Sequence, residues 1–151
     1  VSLLNINCNT RSNASEPEDE KSPPKVLVVD DSEPVRESIT WLLCTSGYQA
    51  VTANDGKMAK ALLAMNHFAL IITDLKMPVC DGWELLTFCH QYWPSIPVLV
   101  ISGNFGRRPD LERLASGFLC KPFDFLQLRA EINRLLPSTA QPPDIGHRIR
   151  H

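Results

Sequence analysis

Val26-Leu27-Val28-Val29-Asp30-Asp31 is an unbroken apolar run that stops abruptly on two acids. A short run rich in β-branched residues and bounded by charge reads as a strand buried on both faces, and such strands belong to parallel sheets. Three further runs end in the same way: 68–72 ahead of Asp74, 98–101 ahead of Ser102, and 118–120 ahead of Lys121-Pro122. Parallel α/β sheets gather their ligands outside the carboxyl ends of the strands. These four points, distant in sequence, are therefore expected to share one pocket.

Helical patterns alternate with the apolar runs. Val35, Ile39, Leu42 and Leu43 recur at helical spacing, with Ser32 placed to cap the start and Gly47 placed just past the end. A short strand is expected over 48–52. A helix follows over 57–65 with Met58, Leu62 and Leu63 turned inward, and then a strand over 68–73. Asp81-Gly82-Trp83-Glu84 has the spacing of a capping box, so a third helix should start there and run to about Tyr92. Residues 97–101 read as the fourth strand, and Pro109 suits the first turn of a short fourth helix. Residues 118–120 give the fifth strand. Asp124 and Gln127 are spaced as another capping box, ahead of a helix with Leu128, Ile132, Leu135 and Leu136 on its apolar stripe. This alternation predicts an α/β fold: a five-stranded, doubly wound parallel sheet with five helices, the fourth shortened. The expected strand order is the flavodoxin-like 2-1-3-4-5, which makes the ends of strands one and three neighbours and juxtaposes Asp30, Asp31 and Asp74.

The chain of 151 residues is long enough for one domain with tails. Residues 1–24 and 137–151, rich in polar residues and Pro, read as flexible tails around a folded unit at 25–136. The first residue is Val, which suggests a fragment or an unusual start. A net charge of −2, with no basic run longer than Arg107-Arg108, argues against direct nucleic-acid binding. The apolar start at 1–6 is far too short to span a membrane. The five cysteines (Cys8, Cys44, Cys80, Cys89, Cys120) contain no CxxC pair, so they read as reduced thiols in a cytoplasmic protein without a zinc site.

The pocket chemistry follows from residue types. Three converging carboxylates repel one another unless a cation neutralises them, and an oxygen-only donor set suits Mg²⁺. Asp30-Asp31 could alternatively do no more than cap the next helix, and an Asp at a strand end such as Asp74 often satisfies turn amides. Met77-Pro78 keeps the loop after Asp74 extended, which leaves that carboxylate at the pocket mouth as a candidate nucleophile. Lys121 precedes Pro122, and a cis peptide there would turn its ammonium over the pocket. Ser102 adds a hydroxyl donor, although a serine there can also be a simple turn residue. A carboxylate acceptor, a divalent cation, a Lys and a hydroxyl together make a phosphoryl-transfer site.

With these residues in view, 25–136 resembles the receiver domain of bacterial-type response regulators in two-component phosphorelays (CheY-like). The resemblance is carried by Val26-Leu27-Val28-Val29-Asp30-Asp31, by Asp74-Leu75-Lys76-Met77-Pro78 with Asp81-Gly82, by Val98-Leu99-Val100-Ile101-Ser102-Gly103, and by Lys121-Pro122-Phe123. It implies that Asp74 accepts phosphate from the phosphohistidine of a histidine kinase or phosphotransfer protein. It further implies that Asp31, Asp74 and the Lys76 backbone carbonyl hold Mg²⁺, with Asp30 acting through a water. Ser102 and the ring of Phe118, expected to be buried, would form the switch that alters binding of a downstream effector protein. On this reading the chain is a signalling receiver and not an enzyme with a separate substrate.

The 18 residues between Ser102 and Lys121 are a few fewer than the family usually has, which leaves the partner mode and a possible homodimer open. Lys76 and Asn104 take positions that flank the path of hydrolytic water in the family. Haloacid-dehalogenase-type phosphatases resemble D-x-D at the nucleophile, whereas here Lys76 takes the second acidic place. A flavodoxin-like cofactor site would need a phosphate-friendly loop where Asp30-Asp31 stand. A phosphorylation-independent interaction module and a receiver segment of a hybrid histidine kinase stay open. No output domain is expected after residue 136.

Overall fold

A computed structural model of the protein describes residues 22–77, 79–103 and 109–136. The strands are β1 (Lys25–Val29), β2 (Gln49–Ala53), β3 (Leu70–Thr73), β4 (Val98–Ser102) and β5 (Gly117–Cys120). They pair in parallel throughout, in the order β2-β1-β3-β4-β5. Every residue of β3 and β4 is buried, as helices on both faces of a parallel sheet require. The expected architecture is therefore the observed one, with strand limits displaced by one or two residues.

Alternation along the strands divides the core in two. Leu27, Val29, Ile71 and Val100 meet α2 (Gly56–Met65), α3 (Gly82–Tyr92) and α4 (Pro109–Leu114) through Leu63, Leu85, Leu86 and Leu111. Val26, Val28, Leu70, Ile72 and Ile101 meet α1 (Glu33–Thr45) and α5 (Phe125–Leu135) through Ile39, Leu42, Leu43, Leu128 and Ile132. The fourth helix is short, at six residues.

Helix ends follow local chemistry in most places. Asp124 accepts from the Gln127 amide and Gln127 returns a bond to the Asp124 amide, so the capping box at α5 is complete. Gly47 has φ of +90°, and the Gly47 and Tyr48 amides close α1 on the Cys44 and Leu43 carbonyls.

Four expectations are corrected. Ser32 stands at the start of α1 but makes no side-chain cap. At α3 only half the box forms: Asp81 accepts from the Glu84 amide, whereas the Glu84 carboxylate pairs with Lys60 on α2 at 3.0 Å. Met58 is 46% exposed, because α2 buries its small residues Gly56 and Ala59 together with Leu63. Cys44 is disulfide-bonded, while Cys80, Cys89 and Cys120 are free, so the reading of all five cysteines as reduced fails. An odd count and the lack of a CxxC pair say nothing against a single bridge. The expected tails fall outside the described residues, apart from 22–24, as do Pro78 and Asn104. No helix among the described residues is long and apolar enough to cross a membrane.

Candidate functional site

Strand register builds the pocket. Val29 pairs with Thr73, so the next residues, Asp30 and Asp74, emerge side by side, tied by the Asp74 amide bonding the Val29 carbonyl at 3.0 Å. Ser102 pairs with Cys120, and the Lys121 amide donates to the Ser102 carbonyl at 3.0 Å. The Lys121–Pro122 peptide is cis. Lys121 Nζ lies 2.9 Å from Asp30 Oδ2 and 2.9 Å from Asp74 Oδ2, joining β5 to β1 and β3 across the top of the sheet. Asp30, Asp31 and Asp74 each offer a carboxylate oxygen within 4.8 Å of the others. The sequence-read residues Asp30, Asp31, Asp74 and Lys121 thus converge.

Burial sets the electrostatics. Asp30 is 2% exposed and Asp74 8%, whereas Asp31 faces solvent. Burial pushes the Asp30 carboxyl above the usual carboxylate range, against the pull of the Ser32 amide at 2.8 Å and of Lys121. Burial also disfavours the Lys121 ammonium, but its hydrogen bonds to Asp74 and Asp30 outweigh that and hold its pKa above the ordinary lysine value. One lysine thus bridges two buried acids.

Two features bear on a metal and a phosphoryl group. The three acids form an oxygen-only donor set open to solvent at Asp31, which fits a hard divalent cation. The Lys76 amide donates to Asp74 Oδ1 at 3.2 Å, which brings the Lys76 backbone to the pocket, while its side chain is exposed. Ser102 is 1% exposed, and its Oγ has no hydrogen-bond partner among the described residues. An orphaned buried hydroxyl is costly unless the working state supplies an acceptor.

Phe118 departs from expectation. The ring is 37% exposed rather than buried. Its register partner is Val100, and β5 is an edge strand of the sheet.

Two residues have roles that sequence reasoning did not assign. Gly82 sits where a Cβ would overlap the Asp74 carbonyl oxygen and Leu75 Cα, so only glycine lets α3 start this close to Asp74. Arg36 donates from Nη1 to the Asp30 carbonyl at 2.6 Å. Its detectable signal was a cation near the N-terminus of a helix, where the dipole disfavours one.

The family model described as the response regulator receiver domain matches residues 26–133. The chain belongs to that family. Among curated receivers it is 35% identical over 127 residues to response regulator MprA of Mycobacterium sp. (strain KMS), covering 82% of this chain and 54% of that protein. To transcriptional regulatory protein PrrA of Mycobacterium bovis it is 36% identical over 116 residues, covering 75% and 50%. The chain thus spans about half the length of the curated relatives it matches. Among solved receivers, response regulator TrrA from Thermotoga maritima in complex with Mg²⁺-BeF superposes with a TM-score of 0.70 at 27% identity, covering 75% of this chain and 99% of that one. Chemotaxis response regulator CheY4 of Vibrio cholerae gives 0.68 at 31% identity, covering 76% and 99%.

Proposed function

We propose that this receiver takes a phosphoryl group onto Asp74 from the phosphohistidine of a histidine kinase or phosphotransfer protein, and that phosphorylation changes its binding of a downstream effector. The observation that supports this reading is Lys121 Nζ at 2.9 Å from both Asp30 and Asp74, at the end of the strand paired with Ser102. Asp74 is 8% exposed and follows the end of β3, beside Asp30. An oxygen of Asp74 forms the new P–O bond while the P–N bond to the donor imidazole breaks and its electron pair returns to the ring nitrogen. Asp31, Asp74 and the Lys76 carbonyl would hold Mg²⁺, with Asp30 acting through a water. When bound, Mg²⁺ supplies positive charge to the phosphoryl oxygens. Lys121 turns from its carboxylate pair toward the phosphoryl oxygens, and the unpartnered Ser102 hydroxyl donates to one of them.

Movement of Ser102 would open space for the half-exposed Phe118 ring, and the face bearing Phe118 and the short α4 would carry the message or a homodimer contact. The chain has no separate substrate and is not an enzyme in the ordinary sense. A cytoplasmic location follows from the kinase partner and does not rest on reduced thiols. The test is intact-mass spectrometry after incubation with Mg²⁺ and acetyl phosphate. One hydroxylamine-labile phosphoryl increment is expected, absent with EDTA and in Asp74→Asn; no Mg²⁺-dependent adduct would favour a phosphorylation-independent interaction module.

A further inference from the structure

The loop carrying Asp30-Asp31 has a backbone acceptor that the sheet does not satisfy. Asp30 lies one residue beyond the end of β1 and is 2% exposed, and its carbonyl is taken by Arg36 Nη1 at 2.6 Å. The guanidinium donor makes this a charge-assisted bond. Arg36 is the fourth residue of α1, where the helix dipole disfavours a cation, and it joins no ion pair among the described residues. The turn is fixed at three points: the Ser32 amide on Asp30 Oδ1 at 2.8 Å, the Arg36 amide on the Ser32 carbonyl at 3.0 Å, and the guanidinium on the Asp30 carbonyl. Asp31 accepts no hydrogen bond from a described residue and is exposed. Its direction therefore depends on the backbone of this turn.

We infer that Arg36 is a positioning residue for the acidic pocket: by clamping the Asp30 carbonyl it fixes the Asp30–Asp31 peptide so that both carboxylates face the cation they would share with Asp74. Without the guanidinium the buried carbonyl lacks a partner and must turn toward water, which rotates that peptide and takes Asp31 with it. A pure charge effect has the opposite sign, because removing a positive group beside the pocket would tighten cation binding. The sign of the change separates the two.

The inference rests on the Mg²⁺ reading of the pocket, and the experiment separates their failures. MgCl₂ is titrated calorimetrically into the full chain as wild type, Arg36→Met, Arg36→Gln and, as a control in the opposite part of the same core layer, Ile132→Val, with a thermal melt of each. Arg36→Gln keeps a polar group but is two bonds too short to reach the carbonyl. Both Arg36 variants are expected to bind Mg²⁺ about tenfold more weakly, the usual loss when a residue orienting metal ligands is removed. Ile132→Val should melt lower with unchanged affinity. Equal or tighter binding in either folded Arg36 variant overturns the inference, while no binding by the wild type overturns the metal reading and the inference with it.

Discussion

Replacing Lys121 by Met removes the cation that lies 2.9 Å from two buried carboxylates while keeping the length of the side chain. Breaking a buried ion pair from one side costs about 3–5 kcal/mol. The Lys121 side chain is 24% exposed, so solvent screening brings the expectation to about 2–4 kcal/mol without metal. In a domain of this size that lowers Tm by about 10 °C or more. The pH dependence has a defined sign. Asp30 already titrates above the usual range through burial, and losing Lys121 raises it further, so the folded variant binds a proton more readily than the unfolded chain. Its deficit should therefore shrink as pH falls from neutral through the raised Asp30 value. In the wild type the raised Lys121 pKa keeps the lysine contribution fully present below the unfolded lysine value, to be lost only as pH rises through the folded one. Mg²⁺ should stabilise the variant more than the wild type, since it supplies the missing charge. The assay is differential scanning calorimetry in EDTA and in excess MgCl₂ across the acidic-to-neutral range. A variant melting within about 2 °C of wild type in EDTA at neutral pH, where about 10 °C is expected, would show that Lys121 does not offset the burial of the two acids.

Gly82→Ala places a methyl group against the Asp74 carbonyl and should destabilise by about 1–3 kcal/mol despite the better helix propensity of Ala, measured by urea denaturation. Alkylation followed by mass spectrometry should modify exposed Cys120 first among the three free thiols of the described residues. Burial pushes Cys89 up to about 12 and also raises Cys80, so both should react only slowly until the protein unfolds; equal rates for all three would contradict the burial described.

The buried strands were legible because both faces of β3 and β4 are covered, which leaves unbroken apolar runs in the sequence. The site was legible for a related reason: a parallel sheet sends the residues after β1, β3 and β5 to one edge, so strand ends alone brought Asp30, Asp74 and Lys121 together. What escaped depends on partners distant in sequence. Asp81 and Asp124 carry similar cap spacing, yet only Gln127 returns its bond, because Glu84 finds Lys60 across the α2–α3 contact. Met58 lies on a helix whose buried side is lined by Gly56 and Ala59, and small residues leave little trace in a hydrophobic pattern. Phe118 is exposed on the edge strand β5, a placement that its own residue type does not record. Arg36 bonds a backbone carbonyl, an acceptor every residue has, so no partner residue could mark it.

Locating the phosphoryl group tests the proposed role of Asp74 most directly. After Mg²⁺-dependent phosphorylation by acetyl phosphate, borohydride reduction converts an aspartyl phosphate to homoserine, and peptide sequencing by mass spectrometry locates it. Homoserine is expected at Asp74 alone, with Asp30, Asp31 and Asp81 intact. Homoserine at any of those three, or a phosphoryl group retained on another residue type, would contradict that role.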